Sequence, residues 1–214
     1  MKGNTLTRNI ARLALAAGLA LAALLVASIL QGSADQSFEG FQAPAQYADM
    51  LLANESSVRT YVAIDSFFVL FYSALFILLA IALKNADNLW LVAAGLVALL
   101  VTSYLDIHEN NELLVFLRMA GHGVPPSAEM IHARALWSSI KFQSSYLSFF
   151  LFAFVLPDKT VWERVLRWGL WLGYVPAGIL VYAFPSPWFE LARFFFMLFG
   201  LFMLAWTFNQ RTKK

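Results

Sequence analysis

Apolar residues gather into six stretches of the chain, each near the roughly 20 residues that a helix needs to cross a hydrocarbon core. They cover about 10–30, 61–83, 89–105, 131–156, 165–184 and 188–208. The fourth is long enough to tilt. Pro185 and Pro187 bracket the short turn between the last two. The pattern predicts an all-α fold, a polytopic membrane bundle of six transmembrane helices. No linker is long enough to divide 1–214 into two domains. Behind Pro44, the residues Tyr47, Met50 and Leu51 recur at helical spacing, predicting a short interfacial helix within 44–54. The run Gly121-His122-Gly123-Val124-Pro125-Pro126 reads as irregular. Ser127 follows as the cap of the fourth span, with Glu129 in its first turn.

Polar residues interrupt these spans in a periodic way. An ionisable side chain at the centre of a span costs about 2.5–3.5 kcal/mol on insertion scales, so each needs a partner or a purpose. In the second span Tyr61, Asp65, Phe68 and Tyr72 share a face. At the end of the third, Thr102, Ser103, Asp106, Glu109, Asn110 and Leu113 continue one face if the helix runs on beyond the membrane. In the fourth, Arg134, Ser138, Lys141, Ser145 and Ser148 follow spacings of four, three, four and three, an unbroken polar stripe. The three stripes predict a buried cluster with Lys141 paired to Asp65 or Asp106. Its candidate ligand-binding residues are Asp65, Tyr72, Asp106, Glu109, Asn110, Arg134, Lys141 and Ser145. A buried ion pair can also serve only to fix which helices pack together, and that structural reading stands beside the functional one.

Charge in the flanks sets the orientation. Lys2, Arg8 and Arg12, then Lys84, then Lys159, Arg164 and Arg167, then Arg211, Lys213 and Lys214 all fall on one side of a six-span chain. The opposite loops hold Arg59 and Arg118 among many acids. Both termini are therefore expected inside, with the loops near 31–60 and 106–130 outside and the polar cluster in the outer half of the membrane. The basic start followed by Gly32-Ser33-Ala34 loosely matches a cleaved signal peptide, but the apolar stretch is longer than usual and an uncleaved anchor is expected.

Small residues at four-residue intervals, Gly169, Gly173 and Ala177 in the fifth span and Ala14, Gly18 and Ala22 in the first, predict close helix contacts. Pro176 is expected to bend the fifth span. The sixth, with Phe194, Phe195, Phe196, Phe199 and Phe202, reads as apolar all round, with Glu190 and Arg193 as a local pair near one end.

Composition narrows the chemistry. The chain is 60% hydrophobic and 13% charged, against about 25% charged in soluble domains, so much of its apolar surface must face lipid. A net charge of +2 and the lack of basic runs beyond the short tail argue against nucleic acid. The absence of cysteine removes disulfides, thiolate nucleophiles and cysteine zinc sites. His108-Glu109 opens like a zinc-protease helix, but position 112 is Glu112 and the motif fails. A metal held by His108, Glu112 and His132 stays geometrically open, though no metal or other cofactor is assigned.

The function expected first is that of a multi-pass protein of a bacterial inner membrane that binds a lipid or small molecule, or that serves a membrane partner or a second copy of itself. The alternatives are a small proton-coupled transporter using Asp65, Asp106 and Lys141, and an intramembrane enzyme with Asp106 or Glu109 as acid or base. A binder or enzyme predicts a pocket lined by Asp65, Asp106, Glu109 and Lys141. A carrier predicts a polar path running inward past Ser145 and Ser148. A structural cluster predicts direct ion pairs and no pocket.

Overall fold

The computed structural model describes residues 2–31, 38, 40–184 and 186–212, and their regular structure is helical. Gly32, Ser33 and Ala34 of the signal-like stretch, Pro185, and Lys213 and Lys214 of the tail lie outside the described residues.

The helices are α1 (Lys2–Gln31), α2 (Pro44–Ala53), α3 (Glu55–Leu83), α4 (Leu89–Gly121), α5 (Ala128–Val155), α6 (Val161–Ala183) and α7 (Pro187–Thr212). Five of them, α1, α3, α4, α6 and α7, are long and apolar enough to cross a membrane. The 28-residue α5 stands apart in composition because its polar stripe dilutes its hydropathy.

Local chemistry explains the boundaries. Pro44 opens α2 in the first turn, where its missing N–H is least costly. Between α3 and α4, the Asn85 side chain accepts from the backbone N–H groups of Asp87 and Asn88, and Asn88 donates to the Leu83 carbonyl at 3.0 Å. Gly123 ends the α4 turn at φ +73°, a conformation that favours glycine. Ser127 caps α5 by accepting from Met130 N–H at 3.3 Å. The fifth span begins earlier than its apolar run, because Thr160 and Glu163 form a reciprocal capping box that starts α6 at Val161.

Six long helices close into a ring. In order, α1 packs on α3, α3 on α4, α4 on α5, α5 on α6, α6 on α7, and α7 back on α1. Short α2 covers one end of this ring. There Tyr47 and Leu51 meet Val58, Val62, Leu113 and Phe116 in a small core of their own. This end is called the α2 end below. The third span was expected to stop near residue 105, whereas α4 continues to Gly121. Its polar residues turn inward and its outer apolar ones, Leu113, Phe116 and Leu117, enter the α2-end core.

Of the expected close-contact points, Gly18 and Gly173 meet aromatic rings, whereas nothing lies within 4 Å of where a Cβ on Gly169 would stand. Gly18 faces the Phe202 ring, which lies 3.1 Å from where a Cβ would stand. In α6 the turn Gly169–Tyr174 is a π-helix, and Pro176 sits in the first turn of the α-helix that resumes after it. The wider turn is one way to absorb the amide that Pro176 lacks. A Cβ on Gly173 would stand 2.4 Å from Phe196, and one on Gly178 would stand 2.3 Å from the Tyr146 ring. Tyr146 is buried against Tyr174, with ring centroids 5.6 Å apart, and has little room to retreat. Gly178→Ala should therefore lower stability by about 1–3 kcal/mol through overpacking. Thermal melting of the detergent-solubilised protein measures it, and an unchanged midpoint would refute the tight α5–α6 contact.

Candidate functional site

The polar stripe of α5 is wholly buried, from Arg134 at 4% exposure through Lys141 at 7% to Ser148 at 0%. It lies against the polar face of α4, and antiparallel packing sets the partners. Toward the α2 end, Arg134 donates to the Glu109 carbonyl at 2.8 Å and to the Phe38 carbonyl at 3.2 Å, and lies 3.7 Å from Glu112. Two turns further along, Lys141 Nζ meets Glu109 Oε2 at 2.6 Å and Asp106 Oδ1 at 3.3 Å. Thr102 reaches back to the Lys141 carbonyl at 3.4 Å. Deeper still, Ser148 donates to the Gly95 carbonyl at 2.8 Å.

The face of α3 joins from the other side of α4. Asn110 donates to Asp65 Oδ2 at 2.7 Å, the Tyr72 hydroxyl donates to Asp106 Oδ2, and Ser73 donates to Ser103 at 2.8 Å. These pairs descend α4 as they climb α3, which is the antiparallel register. Asp106 is thus shared between Tyr72 of α3 and Lys141 of α5. All three expected stripes meet, and Asp106, one of the two expected partners of Lys141, lies within ion-pair distance of it, joined by Glu109.

Inside the ring lies a cavity of about 480 Å³, within the roughly 300–1,000 Å³ typical of small-molecule pockets. Asp65, Tyr72, Asp106, Lys141 and Ser145 stand on its wall. Of the other candidates, which lie outside the lining, buried Glu109 and Asn110 hold Lys141 and Asp65, and buried Arg134 holds the Glu109 carbonyl. Most of the remaining wall is apolar, and toward the end opposite α2 it is lined by Leu156, Leu166 and Leu204. Ser145 donates to the Phe142 carbonyl at 2.7 Å and lies 3.4 Å from the Tyr174 hydroxyl, which the π-turn carries into the cavity wall.

Several participants were not foreseen from sequence. Arg193 was read as half of a local pair on an apolar helix. It is buried, its guanidinium lies 4.0 Å over the Phe142 ring, and it reaches the Tyr146 hydroxyl at 3.4 Å. Lys141 Nζ lies 4.7 Å from the centroid of that same ring. Both Glu190 and Arg193 line the cavity. The available signal was a lone arginine within an apolar span, the kind of residue that normally faces a bundle interior. The Phe38 carbonyl, which accepts from both Arg134 and Tyr47, had no signal at all, since a backbone acceptor in a loop has no side-chain signature.

The histidines do not build a metal centre. His108 packs 6.5 Å from the Trp137 ring and His132 lies 6.1 Å from the Phe41 ring. Among the described residues no group of three or more His, Asp or Glu side chains is placed to hold a metal ion. The combination of fold and site is that of an all-helical protein with several helices fit to cross a membrane and a polar network on the wall of an interior cavity. Comparison with protein-family models, curated proteins and solved structures finds no match for the chain.

The network makes an asymmetric prediction. Lys141→Met leaves Asp106 and Glu109 buried without their shared cation, and should cost about 3–5 kcal/mol. Tyr72→Phe removes one hydrogen bond to a carboxylate and should cost about 1.5–3 kcal/mol. Denaturant or thermal unfolding in detergent compares the two, and a Lys141→Met protein that melts like the parent would refute the buried pair.

Proposed function

We propose that this is a six-span protein of a bacterial inner membrane, with both termini inside, that binds a lipid or small amphiphile in the cavity of its helix ring. The single observation that carries this reading is the placement of five candidate residues, Asp65, Tyr72, Asp106, Lys141 and Ser145, on the wall of a mostly apolar cavity. A network made only for packing has no need of space beside it. An amphiphile has a polar end for this corner and an apolar body for the remainder.

The sixth span of this reading is α5. Its polar residues face α4 and the cavity, while Leu136, Ile140, Leu147 and Phe154 remain exposed on the other side as a surface suited to lipid. Polar residues turned into a bundle are compatible with spanning. With α5 counted, the basic loops gather on the side of the termini, and the polar network falls in the outer half of the membrane. Carrier function is less well supported. Ser148, expected to continue a polar path, donates to a backbone carbonyl of α4, and the inner end of the cavity is lined by leucines.

Since the chain has no cysteine, single substitutions report topology cleanly. Lys84→Cys and Lys159→Cys should react with an impermeant thiol reagent only after the membrane is opened, and His122→Cys in intact cells. Reaction of all three in intact cells would refute the arrangement. For the ligand, native mass spectrometry of protein released from gentle detergent should find a bound lipid or metabolite that is lost in Asp106→Asn. A bare polypeptide from both proteins would count against the binding reading.

A further inference from the structure

The seam between α1 and α7 changes character along its length. Its middle is marked by Gly18 of α1 lying against the Phe202 ring of α7. Toward the end opposite α2 the seam is tight, with Ile10, Ala14 and Ala17 of α1 and Ala205 and Phe208 of α7 all buried. Toward the α2 end, Leu25 lies two turns beyond Gly18 and Leu191 three turns before Phe202, so both keep the face that makes the seam. Both also line the cavity. Lining the cavity confers little exposure by itself, since Leu21, Leu99, Phe152 and Leu204 line it and are buried. Leu191 is nevertheless 55% exposed, and Ile29, three turns beyond Gly18 on the same face, is exposed as well. A side chain that belongs at once to the cavity wall and to the outer surface marks an opening. The helix ring is thus open between α1 and α7 toward its α2 end.

The level and surroundings of this opening select what passes through it. Trp188, exposed one turn before Leu191, is of a residue type that settles at the membrane–water interface. The opening therefore begins just beneath the interface and faces lipid chains. Exposed Leu30 and Phe195 add apolar surface on the same two helices, which hydrocarbon accepts and water disfavours. Behind the opening, the cavity wall carries Tyr61, Asp65 and Glu190 toward the α2 end and turns apolar beyond them. Resting on the ligand-binding reading above, we infer that the ligand is a bilayer lipid whose acyl chain enters the cavity sideways, through the opening between α1 and α7. Its head group stays at the interface, level with Trp188. Its chain runs along the phenylalanine and leucine wall toward Leu156, Leu166 and Leu204.

The test places the full chain in nanodiscs of phosphatidylcholine that carries a photoreactive diazirine at the end of one acyl chain. After irradiation, peptide mass spectrometry locates the labelled residues. Label should appear on Leu99 and Phe152, which line the cavity and are shielded from bulk lipid, as well as on the lipid-facing Leu147 and Phe154. Leu191→Trp and Leu25→Trp each add bulk at the opening, and each should lower labelling of Leu99 and Phe152 roughly tenfold while that of Leu147 and Phe154 stays constant. The constant outer labelling reports a folded, inserted protein, and either variant suffices if the other does not fold. Interior labelling unchanged in the folded variants overturns the inference, because the chain then enters elsewhere. A parent protein labelled only on its outer surface overturns it too. In that case a ligand retained in native mass spectrometry leaves the binding reading standing, and an empty protein removes both.

Discussion

Lys141 carries a positive charge into the interior of a helix ring, and the arrangement around it follows from that charge. Its ammonium is held by two carboxylates one turn apart on α4, at 2.6 Å and 3.3 Å. Bringing Asp106 and Glu109 to one point fixes both the rotation of α4 and its register against α5. Asp106, once committed to Lys141, presents its other oxygen to Tyr72 and so draws α3 into the same arrangement. The pair adds little net stability over an apolar substitute of equal volume, because two desolvated charges repay their cost only in part. Its contribution is to selectivity, since sliding or rotating any of the three helices would strand a charge.

The ring has a consequence for packing. Six helices arranged edge to edge cannot all meet at the centre, and the interior they surround stays partly open unless large side chains fill it. Here aromatic residues fill part of it, with Phe76 lying between Phe149 and Phe152 at centroid distances of 5.3 Å and 5.2 Å. The glycines of α6 offset this bulk, letting Phe196 and Tyr146 lie directly on its backbone. The cavity lies among these aromatic residues, and the polar network occupies one section of its wall.

Much of this was legible in the sequence, for identifiable reasons. A polar stripe at spacings of four, three, four and three on an apolar helix has no lipid-compatible explanation except burial, and every member of it is buried. Pro44, Ser127 and the Asp65–Tyr72 face were readable because caps and helical faces are local properties. Other features depend on where distant segments meet. Asp106 and Glu109 were both visible as acids on the right face, but their distances to Lys141 depend on the depth at which α4 and α5 cross. The inward turn of Arg193 was obscured by five phenylalanines around it, which made α7 resemble a lipid-facing helix. The length of α4 was underestimated because hydropathy falls at Asp106, and a fall in hydropathy marks the end of apolar surface without marking the end of a helix.

That continuous α4 has a mechanical implication. At about 1.5 Å per residue, its 33 residues make a rod of about 50 Å, well beyond a hydrocarbon core of about 30 Å. Leu113, Phe116 and Leu117 are gripped by α2 and the start of α3, while Asp106 and Glu109 lie one to two turns along the same rod. An unbroken helix is stiff over that distance. It acts as a lever, and a tug on the exposed His122–Val124 bend or on α2 would arrive at the carboxylates as a displacement.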